Sequence, residues 1–178
     1  MTTTPLSTAQ QVLLVILRTA VGWHFLYEGL YKLTTPAWSR AGLPLDHWSA
    51  AGYLRAASGP LSGLFHTLAS PPWVQTVDMA VAAGLVLVGL SLVLGLFTQA
   101  GALGALGLLT LFYLSAIPTS GVHQPGGEGA YLIVNKNVVE AAAVAVVFAF
   151  RTGRIAGLDL LLRGGRRAPE MPVEVVTS

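Results

Sequence analysis

Arg18, His24, Glu28 and Lys32 all fall inside one long apolar stretch near the N-terminus. His24, Glu28 and Lys32 are spaced four apart, and on an α-helix that spacing stacks them in a single stripe. At about 100° per residue Arg18 lies on the edge of the same face, with Tyr31 close by. A second polar set, Asn135, Lys136, Asn137 and Glu140, opens the last apolar stretch. These residue types suit proton exchange (imidazole, carboxyl, phenol) and the holding of a small anion (ammonium). A charge at the centre of a bilayer costs about 2.5–3.5 kcal/mol even on the lenient insertion scale, so the two sets should turn inward and pair. Helical rise places Glu28 level with Lys136 and leaves Arg18 within reach of Glu140, so those two pairs are expected. The plainer role for such pairs is to fix helix register. His24, Glu28, Lys32 and Tyr31 are the candidate catalytic residues, and Arg18, Lys136, Asn137 and Glu140 the candidate cofactor-binding ones.

Other chemistries find little support. The chain has no cysteine, hence no disulfide, no thiolate ligand and no redox thiol of its own. His47, His66 and His123 are scattered over connections, no two of the four histidines share a helix face, and neither H-E-x-x-H nor H-x-x-E-H occurs, so no metal or haem is expected. Gly126-Gly127-Glu128-Gly129 lacks the phosphate-loop spacing, and there is no dinucleotide fingerprint and no nucleophile elbow. A net charge of +2 gives no reason to expect a nucleic-acid partner. Lys32, Arg40 and Arg55 would serve equally as attractors of a small anion and as interface anchors.

The elements that must position these residues follow from composition. Of 178 residues, 53% are apolar and only 10% charged, against roughly 25% charged in soluble domains. A bilayer core of about 30 Å needs some 20 apolar residues in helix. Four stretches qualify, near 11–33, 76–97, 100–117 and 130–150. No charged residue occurs between Asp78 and Glu128, which leaves room for two spans and a tight turn at Gly95 to Gly101. Spans this long and continuously apolar are helices, because a barrel strand alternates. The expected fold is all-α, a polytopic four-helix membrane bundle over residues 1–160 with a polar tail at 161–178. In the long first connection Leu61, Leu64, Phe65 and Leu68 recur at helical spacing. They predict a short interfacial helix, ended by Pro71-Pro72, with Trp38, Trp48, Tyr53 and Trp73 at headgroup level. The small residues Ala100, Gly101, Gly104, Ala105 and Gly107 suit close helix packing.

Orientation is read from the cations. Arg151, Arg154, Arg163, Arg166 and Arg167 follow the last span, whereas the first connection carries only Arg40 and Arg55. The positive-inside rule then puts both termini in the cytoplasm and both longer connections outside, with the inner membrane as the expected location. The polar, uncharged start, Met1 to Gln10, has no basic n-region, so the first span reads as retained.

The run Leu17-Arg18-Thr19-Ala20-Val21-Gly22-Trp23-His24-Phe25-Leu26-Tyr27-Glu28-Gly29-Leu30-Tyr31-Lys32-Leu33 resembles the opening helix of the DoxX/DoxD family, roughly L-R-x-x-x-G-x-x-F-L-x-x-G-x-x-K-L. Gly52-Tyr53-Leu54 to Gly59-Pro60-Leu61, Gly89 to Thr98 with its G-L-F-T ending, and Gly153-Arg154-Ile155-Ala156-Gly157-Leu158-Asp159 are similar to the DoxD branch, in the same order. The resemblance runs from about Leu14 to Asp159. It implies a four-helix membrane bundle and, for the DoxD branch, the large subunit of a thiosulfate:quinone oxidoreductase. That enzyme oxidises two thiosulfates to tetrathionate and passes the electrons to a membrane quinone, with a small DoxA-type partner. Arg18, Gly22, Phe25, Gly29 and Lys32 are the carried-over motif positions. His24 and Glu28 fall at variable ones, so their candidacy rests on the polar stripe.

A quinone needs an apolar slot with proton and hydrogen-bond donors. The bundle would supply the slot, His24, Tyr31 and Glu28 the protons, and Lys32 or Lys136 a hold on an anion. The expectation is a membrane subunit of a quinone-linked oxidoreductase acting on thiosulfate or a similar sulfur anion at the outer face, with quinone as electron acceptor. The alternative is a non-catalytic accessory or anchoring subunit of a larger respiratory or photosynthetic complex. Lipid bilayer and a protein partner, DoxA-like or a larger redox complex, are the expected surroundings.

Overall fold

A computed structural model of the chain describes residues 6–34, 48–57, 61–115, 117 and 133–164. Trp38, Arg40, His47, His123, Gly126–Gly129, Arg166 and Arg167 lie outside them, as do most of the second connection and the end of the tail. The elements are α1 (Thr8–Thr34), α2 (Ala51–Arg55), α3 (Ser62–Leu68), α4 (Trp73–Leu94), α5 (Thr98–Ser115), α6 (Lys136–Ala149), a 3-10 turn at Thr152–Arg154, and α7 (Asp159–Gly164). The fold is all-helical, and α1, α4 and α5 are long and apolar enough to cross a membrane. Helix α6 has 14 residues and is shorter than the expected span at 130–150. Asn135 is extended (φ −124°, ψ 179°) and accepts the Val138 amide on its side chain as N-cap, so the helix cannot start earlier.

The four long helices form a ring in the order α1, α4, α5, α6, closing through a lighter contact of α6 with α1. Helices α1 and α4 cross backbone to backbone. A Cβ on Gly22 would meet Leu92 Cβ and Val93 N at 2.8 Å, one on Gly29 would meet Val86 N at 2.7 Å, and one on Gly89 would run into the backbone of Leu26. In lipid, where apolar burial gives little drive for helices to associate, such close approach yields the van der Waals contact that holds them together. The motif glycines of α1 thus have a packing reason. On α5, Gly101, Ala102 and Ala105 are buried and Gly101 seats Ser91, whereas a side chain at Gly107 would meet nothing. Large apolar side chains such as Leu13, Trp23, Leu87, Leu103 and Val139 point outward, as a lipid-facing surface requires.

Helix α3 covers the segment whose spacing predicted it, and α2 precedes it unannounced. The two close over one end of the ring, here called the cap end, and bury Leu54, Ala57, Phe65 and Ala69 against Trp48, Leu68, Val77 and Leu114. Asp78, near the start of α4, holds the cap by accepting the Ala50 amide at 2.7 Å, and Tyr53 Oη donates to the Phe112 carbonyl at 3.2 Å.

Replacing Gly89 by alanine should cost about 1–3 kcal/mol of stability by overpacking. Gly107→Ala, in open space, should be neutral or mildly stabilising. Thermal unfolding of the two variants in the same detergent tests the contrast.

Candidate functional site

Beneath the cap the ring encloses a cavity of about 360 Å³, within the roughly 300–1,000 Å³ typical of small-molecule sites. Its walls are unequal. Phe25, Val81 and Leu85, Leu108 and Leu109 with Phe112, and Leu54 and Phe65 of the cap are apolar. The opposite wall is polar, with His24, Glu28 and Lys32 from α1 and Lys136, Asn137 and Glu140 from the first turns of α6. Their spacing on two facing helices makes this wall continuous, as the stripe on α1 predicts.

The pairs differ from the expected ones. His24 Nδ1 lies 2.5 Å from Glu140 Oε1, and Glu28 pairs with Lys32 one turn along its own helix. Lys32 also lies over the ring of Trp48, 5.1 Å from its centre. The reason is reach. With Glu140 level with His24, Arg18 sits six residues, about 9 Å, further from the cap, out of reach. Lys136 does arrive level with Glu28 and acts on it through space, but the same-helix lysine makes the contact. Asn137 is 9% exposed and lines the cavity; its side chain has no hydrogen-bond partner among the described residues.

Two predicted residues are elsewhere. Tyr31 does not line the cavity. Arg18 is buried at the far end of the bundle, where its Nη1 donates to the carbonyls of Thr152 at 3.1 Å and Ala156 at 2.5 Å. Beside it, Asp159 reaches back to cap α5, accepting the Phe97 amide at 2.7 Å and the Thr98 amide at 3.0 Å. The chain around it pairs with the α4–α5 turn through Leu158 N to Leu94 O and Asp159 N to Gly95 O, at 3.1 and 2.8 Å. Gly95, at φ 65°, and Gly157, at φ 152°, allow that approach. Burial alone would raise the Asp159 pKa; the Thr98 and Phe97 amides and the charge of Arg18 outweigh it and hold the carboxyl below its ordinary value.

Several wall residues carry no chemical signal in the sequence. Trp48 and Tyr53 read as headgroup anchors, while Phe65 and Phe112 read as ordinary apolar positions. Asp78 was detectable as the last charge before a long uncharged stretch. His66 is not on the wall; its Nε2 lies 3.2 Å from the Ala57 carbonyl. No cluster of three or more potential metal ligands occurs among the described residues.

A model of the DoxX family matches residues 13–117, more than half of the chain. The chain belongs to the DoxX family. The match takes in α1, the cap, α4 and α5, and ends before α6. In this DoxX protein the apolar walls and His24, Glu28 and Lys32 therefore lie in the family region, and Lys136, Asn137 and Glu140 beyond it. No curated protein and no solved structure matches the chain. Its helices make the DoxX protein an integral membrane protein in a lipid bilayer.

If His24 and Glu140 act as a pair, Glu140→Gln and His24→Gln should be non-additive, with a coupling of about 0.5–3 kcal/mol in a double-mutant cycle of unfolding free energies. The Asp159 contribution has the sign of a depressed carboxyl. It is fully present above the ordinary carboxylate pKa of about 3.9 and is lost as pH falls through the lower folded-state value. The melting-temperature gap between wild type and Asp159→Asn should therefore be widest near neutrality and close at strongly acidic pH.

Proposed function

We propose that this DoxX protein is the membrane subunit of a quinone-linked oxidoreductase, with the quinone ring taken into the cavity under the cap. The observation that carries the reading is the division of the cavity into aromatic and aliphatic walls facing a single wall of ionisable groups. A quinone head group is a flat apolar ring with oxygens at its edge, and such a cavity offers both surfaces it needs. The residues fit that group: Phe25, Phe65 and Phe112 against the ring, and His24, Lys136 and Asn137 towards its oxygens. Reduction of a quinone takes up two electrons and two protons. The His24–Glu140 pair holds a proton at the cavity wall, and Glu140 steadies the imidazole in position to pass it on.

The electron donor in this reading is a small sulfur oxyanion, thiosulfate by resemblance to the DoxD branch. It approaches from the cap end, which in this reading faces away from the cytoplasm, a choice supported by the arginines that follow α6. Two thiosulfates joined as tetrathionate release the two electrons that the quinone accepts. The partner is a DoxA-like subunit or a larger redox complex at the same face.

Purified protein in lipid nanodiscs, alone and with its co-purifying partner, should reduce a short-chain quinone when thiosulfate is added. Glu140→Gln should lower that rate by about a hundredfold while the melting temperature stays within a few degrees. A preparation that binds quinone but reduces none under either condition is an accessory subunit instead.

A further inference from the structure

Asn137 is the one carboxamide of the polar wall. It is nine-tenths buried, it lines the cavity, and its carboxamide meets no hydrogen-bond partner among the described residues. Glu140, one turn along α6 on the same side, is by contrast engaged by His24 at 2.5 Å. Lys32 and Glu28 engage each other. A carboxamide held at a cavity wall with no protein partner is free to be completed by a group that enters the cavity.

We propose that Asn137 is the positioning residue for a ring oxygen of the bound quinone, and that it holds this oxygen in both the oxidised and the reduced form. The inference rests on the quinone reading above. The chemistry is that of the amide group. Its NH₂ donates to a carbonyl oxygen and its Oδ1 accepts from a hydroxyl. An ammonium in the same place only donates, and a carboxylate only accepts. A small rotation or flip of the side chain therefore follows the ligand from carbonyl to hydroxyl with no proton gained or lost by the protein. The ring can stay seated while protons arrive elsewhere on the wall. The first turn of α6 makes the placement firm: Asn135 caps the helix through the Val138 amide at 3.2 Å, fixing the backbone from which Asn137 projects.

The test compares two probes, a short-chain benzoquinone and its quinol kept anaerobic, on the full-length protein in nanodiscs. Quinone binding is followed by quenching of tryptophan fluorescence, with Trp48→Phe reporting how much of the signal comes from the cavity, and quinol binding by competition. Asn137→Leu should weaken both probes about three- to tenfold, the size of one net hydrogen bond. Asn137→Asp, measured at pH 8, should split them, retaining the quinol and losing the quinone. Equal behaviour of the two probes on Asn137→Asp, or undiminished binding of both to Asn137→Leu, overturns the inference and leaves the quinone reading standing. Failure of the wild type to bind either probe overturns the quinone reading itself. Unchanged helical circular dichroism and a single elution peak establish that each variant is folded.

Discussion

The bundle depends on one buried cation. Arg18 is 3% exposed and donates to two carbonyls beyond α6. It sits beside the carboxylate that caps α5, and against Gly95 at the end of α4. One guanidinium thus joins α1 to the turn after α4 and to the chain that follows α6, next to the carboxylate that caps α5. Burying a charge is costly unless hydrogen bonds compensate it; the two carbonyls meet Nη1, although Nε has no partner among the described residues, so the rotation of α1 about its axis must keep Nη1 on those carbonyls. Because a helix is rigid over this length, that rotation also decides where His24, Glu28 and Lys32 point, two to four turns away. A residue expected to bind a cofactor instead aims those that face the cavity.

The two ends of the molecule are accordingly built in different ways. Near Arg18, chain is matched to chain by backbone contacts at Gly95 and Gly157 and by Gln99 Nε2 donating to the Phe148 carbonyl. Towards the cap, α1 stays tight against α4 through its glycines but meets α6 more lightly, and a hollow opens between them. The cap closes that hollow with side chains from two short helices held by single hydrogen bonds from Asp78 and Tyr53.

The stripe on α1 and its answering residues on α6 were legible because charge in a long apolar run has few reasons to exist and helical spacing says which way it faces. The approximate spans at 11–33, 76–97 and 100–117 were legible for the same reason. The choice of partners was not. It turns on how far the Arg18 side chain can reach, on the contact of Glu28 with Lys32 one turn along its own helix, and on the start of α6 at Lys136, which an extended Asn135 dictates and hydropathy does not register. Asp159 appeared within a familiar run of residues, yet its work is done sixty residues away in sequence, at the amides of Phe97 and Thr98. The aromatic walls from Trp48, Phe65 and Phe112 became a site only when α2 and α3 folded back over the ring.

The shortness of α6 has a consequence for the membrane itself. Fourteen residues rise only about 21 Å, against a hydrocarbon layer of about 30 Å. Helix α6 is accordingly not among the helices long and apolar enough to cross on their own, and a segment this short sits in a bilayer only with local thinning, snorkelling of flanking side chains or cover from a neighbour.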